Sequence, residues 1–371
     1  MISRTKFENL FSRSNPLHLD CGEKLESVTV AYQSFGELNR NKDNVIIVNH
    51  ALTGNAHVAG IIDDFEIENS KSCERLNAYN KMFKGKEGWW SPIIGSGKAI
   101  DTNKYFVLCS NILGSCYGTT GPTSNIKNFN QTYQTNFPQI TVRDMIKVQK
   151  ELIDKLGISK IKLVVGGSLG GMQVLEWAIM YPDLINKIMP IATSAAHSSW
   201  AIGLNEASRN AIINDPEWKN GNYKNQPEKG MSLARKIAMI SYRSFDSFNK
   251  KFDRDFIEKQ NIFELESYLN YQGEKLTKRF DANTYLCLSK AMDFHDVGKD
   301  RGGITKALTS IKADTMCIGI NSDILYPTEE QKGIMKQIPN AEYSEINSIH
   351  GHDAFLIEFD QLDKILRNIL D

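Results

Sequence analysis

The sequence predicts an α/β fold with a mostly parallel, doubly wound sheet, interrupted by an inserted block of helices. Three observations carry this prediction. Short runs of nearly continuous apolar, β-branched residues alternate with helical patterns, as strands buried on both faces of a parallel sheet require. The alternation breaks off near residue 195 and resumes near residue 312. Between these limits the pattern is polar and helical, with few strand signals. Finally, the stretch VVGGSLGGMQ (164–173) stands where a strand pattern gives way to a helix pattern.

Taken in order, VIIVNH (45–50), YFVLCSNIL (105–113), KIKLVVGG (160–167) and KIMPIATS (187–194) read as strands. The segment TVRDMIKVQKELIDKLG (141–157) reads as a helix. Thr141 and Asp144 have capping-box spacing, and Gly157 is placed to end the helix. GGMQVLEWAIMYP (170–182) reads as the next helix, stopped at Pro182. Strand and helix alternate again through TMCIGIN (315–321), TEEQKGIMKQI (328–338), AEYSEINSI (341–349) and a C-terminal helix (355–370). The expected division is a core of residues 1–194 and 312–371 with a helical lid domain inserted at 195–311. Such a lid would cover the strand ends where open α/β sheets bind ligands. The charged stretch 63–88 reads as a surface loop without an assigned role.

Composition narrows the class. Apolar residues at 41% and charged residues at 24% are ordinary for a globular chain, and the formal net charge is zero. That balance argues against nucleic acid or an anionic membrane as partner. The N-terminus MISRTKFENLFSRS has no apolar targeting core, and no run is long enough to span a membrane. Six scattered cysteines form no CxxC pair and read as small buried hydrophobes in a reducing cytoplasm. The histidines form no HExxH or Cys/His constellation, so no metal is expected.

Four glycines in the six positions 166–171 need a geometric reason. Gly166-Gly167-Ser168-Leu169-Gly170 fits G-x-S-x-G between strand and helix, the setting of a nucleophile elbow. A side chain two residues before or after Ser168 would collide with the neighbouring strand or helix, and Gly171 would let the helix approach the sheet. A phosphate loop is a poorer reading, because the GxxxxGK[ST] lysine is missing. A serine nucleophile needs a base, and the base needs an orienting acid. Asp323 lies just past the apolar run 316–320, and His352 lies beyond the last strand, flanked by Gly351. His350 reads as a strand-end histidine. The oxyanion donors are the backbone N–H of Leu169 and that of Leu52, with Thr53 a neighbouring alternative. His50 and His57 read as residues that shape the loop.

Several segments together resemble a known family. HALTG (50–54), GWW (88–90), GPTS (121–124), FPQITVRDM (137–145), GGSLGGMQVLEW (166–177), DPEWKNGNY (215–223), LARKIAMISYRS (233–244), RFDANTYL (279–286) and GHDAFLIE (351–358) are similar to those of the α/β-hydrolase-type homoserine O-acetyltransferases of methionine biosynthesis. The likeness runs from about residue 15 to the end and includes the lid. It implies an α/β-hydrolase fold with the triad Ser168, Asp323 and His352. It also implies substrate contacts at Arg235, Asp353 and Tyr242. Arg235 would take the carboxylate of L-homoserine and Asp353 its ammonium, while Tyr242 would line the tunnel. The acyl donor implied is acetyl-CoA, a co-substrate in a route needing no bound cofactor. A cytoplasmic homodimer joined through the lid is also implied. In the lid segment, Leu233, Ile237 and Ile240 follow helical spacing, with Arg235 off that stripe. Ser115 and Tyr117 stand where the family is richer in glycine. The competing readings keep the scaffold: a succinyl donor, serine as acceptor, or an esterase or thioesterase in which water is the acceptor.

Overall fold

The computed structural model describes residues 1–126 and 131–370. Eight strands among the described residues form the central sheet. They are β1 (Lys6–Leu10), β2 (Val28–Phe35), β3 (Val45–Asn49), β4 (Phe106–Ser110), β5 (Ile161–Gly167), β6 (Ile185–Ile191), β7 (Asp314–Ile320) and β8 (Ala341–Ile346). Their order is β1-β2-β4-β3-β5-β6-β7-β8. From β4 to β8 every neighbouring pair is parallel, whereas β1 and β2 run antiparallel at one edge.

All six strands expected from apolar runs are present and make up the parallel part. The two N-terminal strands were not expected. Their signal is the alternation Val28, Val30, Tyr32, a period-two pattern with buried residues on the core side.

Both faces of the sheet are covered, because alternate side chains point to opposite sides. On one face Ile47, Val164 and Ile188 join a core with α3 (Val142–Lys155) and α4 (Leu169–Met180). On the other, Ile46, Val165, Met189 and Ile318 pack with Trp90 and with Leu362 and Leu366 of α12 (Phe359–Leu370). Helix α3 begins with the expected reciprocal cap. The Thr141 hydroxyl accepts from the Asp144 N–H, and the Asp144 carboxylate accepts from the Thr141 N–H. Gly157, at φ 68°, follows its end.

The stretch 63–88 corrects the expectation of a surface loop. It forms α1 (Asp64–Asn69) and α2 (Glu74–Met82). Asp63 caps α1 and also holds Arg4 through two hydrogen bonds of 2.7 and 2.8 Å. The carboxylate of Glu66 is buried and accepts from the Thr5 N–H. The charges that suggest solvent therefore pin the N-terminal strand. The cysteines also depart from expectation in part. Cys109, Cys116 and Cys317 are buried, but Cys21 is exposed and Cys73 and Cys287 are half-buried.

Between β6 and β7 lie five longer helices: α5 (Ser199–Ile213), α6 (Glu228–Tyr242), α7 (Phe245–Phe252), α8 (Glu264–Thr277) and α9 (Ala282–Asp293). The short α10 (Ile304–Thr309) leads back to β7, and α11 (Thr328–Met335) follows it. In α6 the stripe Leu233, Ile237, Ile240 does not face the core. Leu233 and Ile240 are half exposed, and the buried face is Met231, Ala234, Ala238 and Met239. Alanines and unbranched methionines fill that face, where α6 packs against both α5 and α8. Among the described residues, no helix is long and apolar enough to cross a membrane.

The tightest packing is backbone on backbone. A Cβ on Gly170 would overlap the Asn49 carbonyl, which no side-chain rotation can relieve. Gly170→Ala is expected to cost about 2 kcal/mol or more. Gly203→Ala, at an exposed position of α5 where an added Cβ meets nothing within 4 Å, is expected to stabilise by up to about 1 kcal/mol. Equilibrium urea unfolding of the two variants measures this contrast.

Candidate active site

Ser168 sits between β5 and α4 at the centre of the sheet. Its backbone is at φ 60° and ψ −126°, in a region L-residues rarely adopt. It occupies the N-cap position of α4, yet its side chain makes no cap hydrogen bond. The hydroxyl is thus not engaged by the helix it precedes. The four glycines around it each meet an obstacle. A Cβ on Gly166 would lie 2.7 Å from the Asn49 carbonyl oxygen. One on Gly167 would lie 2.7 Å from the Phe355 ring, and one on Gly171 2.6 Å from the Thr193 side chain. Leu169 begins α4, so its N–H has no intrahelical acceptor.

The loop after β3 is held against this turn. Gln173 donates to the His50 carbonyl at 3.2 Å. His50 itself is buried, with Nδ1 at 2.9 Å from the Ala51 carbonyl and Nε2 accepting from the Ile112 N–H. His57 contacts the Gly60 carbonyl at 3.0 Å and the Tyr79 hydroxyl at 3.3 Å. Burial lowers both imidazoles to about 4, so they stay neutral and bridge the loops. Leu52, the expected donor, lies in this loop and is buried.

Asp323 and His352 come together. His352 Nδ1 lies 2.7 Å from Asp323 Oδ2, and both side chains are almost fully buried. The other carboxylate oxygen accepts from the backbone N–H groups of Leu325 and Tyr326 at 2.8 and 3.0 Å. Burial disfavours an imidazolium here. The Asp323 charge and hydrogen bond outweigh it, with help from Asp353, and hold His352 above the ordinary histidine value. The imidazole is packed among Tyr326, Phe355 and Tyr242, at ring separations of 5.3, 5.5 and 5.7 Å. Phe355 is the ring that faces Gly167, so the histidine loop and the Ser168 turn are neighbours. His350 lies apart from this arrangement, lining a groove with Arg243 and Phe248.

The helical insert reaches the same place. Gly351, at φ 67°, lets the loop before His352 lie against Tyr242 and Arg243 at the end of α6. Arg235 stacks over the Tyr242 ring at 5.6 Å and is partly buried. Asp353 pairs with Arg243, Nε to Oδ2 at 3.2 Å. That partner was not anticipated, although Arg243 stands inside the LARKIAMISYRS segment. Arg279 was missed as well. It donates to the Thr53 carbonyl at 2.9 Å and to the Tyr117 hydroxyl at 2.6 Å, so the insert also grips the loop carrying Leu52. The tryptophans of GWW are fasteners: Trp89 donates to the Asn55 carbonyl and Trp90 to the Phe355 carbonyl.

Chemically, a buried His–Asp pair on a loop that neighbours the turn of an uncapped hydroxyl supplies the groups that acyl-serine chemistry needs. A third carboxyl lies behind the pair. Burial and the Asp323 charge push Glu330 up to about 7. The folded state therefore keeps this proton longer than the unfolded chain, and the fold loses stability as pH rises from the ordinary glutamate range through about 7. Glu330→Gln is expected to raise the thermal midpoint at pH 8 and leave it nearly unchanged at pH 5, as measured by calorimetry.

Comparison with known proteins bears on this site. The model of the alpha/beta hydrolase fold family matches residues 44–358. The homoserine O-acetyltransferase of Carboxydothermus hydrogenoformans is 47% identical over 367 residues, covering 95% of this chain and 92% of that one. The crystal structure of homoserine O-acetyltransferase from Bacillus anthracis matches with a TM-score of 0.88 at 27% identity, covering 100% of this chain and 98% of that one. Esterase E22 matches with a TM-score of 0.87 at 25% identity, covering both chains fully. With its full-length likeness to these transferases, the chain belongs to the homoserine O-acetyltransferase family, within the alpha/beta hydrolase fold.

Proposed function

We propose that this chain transfers the acetyl group of acetyl-CoA to the hydroxyl of L-homoserine, a step toward methionine, by a ping-pong route through Ser168. The observation that carries this reading is the buried His352–Asp323 pair at 2.7 Å, set beside a hydroxyl that caps no helix. Ser168 Oγ attacks the thioester carbonyl while its proton passes to Nε2 of His352. The N–H groups of Leu52 and Leu169 hold the oxyanion. The C–S bond breaks, and the thiolate of CoA leaves with that proton. The homoserine hydroxyl then gives its proton to the same nitrogen and attacks the acyl-serine. The proton returns to Ser168 as the ester departs. Each proton thus has a protein carrier.

The insert acts as a lid that selects the acceptor. Arg235 takes the homoserine carboxylate, and Asp353, already beside Arg243, takes the ammonium. Tyr242 lines the path between them. Arg235, Lys275 and Arg279 form no ion pair with any described residue. Burial, and then the charges of Arg279 and Arg235, loosen the hold of Lys275 on its proton. This cationic wall suits the carboxylate of the acceptor and the phosphates of the donor. The exposed apolar residues Leu233, Ile240, Phe245 and Tyr271 on the lid support a homodimer joined there.

Likeness to esterase E22 favours a second reading, in which water replaces homoserine. Thiol release separates the two. With acetyl-CoA or succinyl-CoA, and homoserine, serine or no acceptor, release is expected to depend on homoserine and to prefer acetyl-CoA. Ser168→Ala is expected to abolish it, and Asp323→Asn to lower kcat by roughly 10³- to 10⁴-fold. Equal release with and without an acceptor would make the protein a thioesterase. Arg235→Ala is expected to raise the KM for homoserine at least about tenfold, with the KM for the donor little changed.

A further inference from the structure

The triad accounts for one buried His–Asp pair, but the structure holds a second. His197 lies in the connection between β6 and α5, with its side chain almost fully buried. Its Nδ1 is 3.3 Å from Oδ1 of Asp293, at the end of α9. Its Nε2 is 3.0 Å from the hydroxyl of Tyr326. Asp293 is anchored in turn by Arg209 of α5 at 2.6 Å and by Asn205 at 2.9 Å. Burial opposes its charge, but His197, Asn205 and Arg209 hold it below the ordinary carboxylate range. His197 thus lies against that carboxylate through Nδ1 and shares a hydrogen bond with the Tyr326 hydroxyl through Nε2.

Tyr326 belongs to the core and touches both members of the catalytic pair. Its N–H donates to Oδ1 of Asp323 at 3.0 Å. Its ring lies 5.3 Å from that of His352. Tyr326 is itself fully buried, so it cannot turn without disturbing its neighbours. A continuous line of contacts therefore runs from two helices of the insert to the imidazole: Arg209, Asp293, His197, Tyr326, His352.

We infer that His197 and Asp293 are positioning residues, which fix Tyr326 so that His352 keeps its alignment on Asp323 only while the lid is seated. The inference rests on the reading of His352 as the base. Its consequence is chemical. The helices that complete the acceptor pocket also arm the base, so a displaced lid disarms Ser168 instead of exposing its acyl group to water.

Tyr326→Phe tests this most directly, because the ring stays against His352 and only the link to His197 is lost. His197→Phe is the second variant, which keeps a ring of similar size and removes both ring nitrogens. The groups facing His352 are Asp323, Asp353 with its partner Arg243, Tyr242 beneath Arg235, and Tyr326, while Glu330 faces Asp323. The first readout is the downfield proton resonance of the His352–Asp323 hydrogen bond, which needs no substrate. The second is the pH profile of kcat/KM. Loosening His352 from Asp323 leaves burial less opposed, so the acid limb is expected to move to lower pH.

The resonance is expected to shift or broaden in both variants. Values of kcat should fall about tenfold, with both KM values within about twofold of the parent. A folded Tyr326→Phe or His197→Phe protein with an unmoved resonance and an unmoved acid limb overturns the inference, even if its activity falls. Because the resonance is read without homoserine, it stands apart from the identity of the acceptor. A chain that shows the expected shifts but acylates only water would sink the proposed function and keep the second pair.

Discussion

The approach of the β5–α4 turn to the end of β3 is the contact on which the site depends. It is made by backbone against backbone, at Gly166 and Gly170 facing the Asn49 carbonyl. Side chains can repack around a side-chain contact, but a backbone contact has no such freedom. The contact brings the loop after β3 alongside the first turn of α4, and Gln173 fastens it there through the His50 carbonyl. Two chain segments distant in sequence, the loop carrying Leu52 and the turn carrying Leu169, are thereby held side by side. The same crowding forces Ser168 into its unusual conformation and lifts its hydroxyl away from the helix cap. Fold and chemistry share one geometric cause.

Charge is arranged differently in the body of the molecule and around the site. Away from the site, buried charges are matched. Glu176 of α4 is buried between Arg143 at 3.3 Å and Arg301 at 2.7 Å, and Asp144 lies 2.9 Å from Lys147. Such clusters limit the cost of burying ions, since each retains a partner. Near the site the pattern loosens. Arg235 rests on an aromatic ring and Arg279 on a carbonyl and a phenol. Glu330 has a carboxylate oxygen with no hydrogen-bond partner among the described residues. Among the described residues Arg235 and Arg279 have no carboxylate partner.

The parallel sheet and the Ser168 turn were legible because each follows from a short-range rule. Buried strands read as apolar runs, and a strand–turn–helix junction without room for side chains reads as glycine. Asp323 and His352 followed from the order of the elements. What escaped depended on contacts between distant segments. The helical nature of 63–88 was hidden because Asp63 and Glu66 look solvated until Arg4 and the Thr5 N–H are known to meet them. The helical spacing of Leu233, Ile237 and Ile240 was legible, but periodicity marks an apolar face without saying what lies against it. Neighbouring helices cover the face of Met231, Ala234, Ala238 and Met239 instead. Arg243, Arg279 and His197 carry no local signature either. Each matters through a partner more than 70 positions away or across a loop, and spacing alone does not reveal this.

The conformation of Ser168 has an evolutionary reading. A non-glycine residue held in such a sparsely populated region costs on the order of 1–3 kcal/mol. A glycine in its place would keep the turn and release that strain. Durability and chemistry therefore pull in opposite directions at a single position. A duplicated copy freed from its reaction would gain lifetime by discarding the serine, and would keep an intact shell around a silent turn. The strain at Ser168 is thus a cost that the fold alone gives no reason to keep.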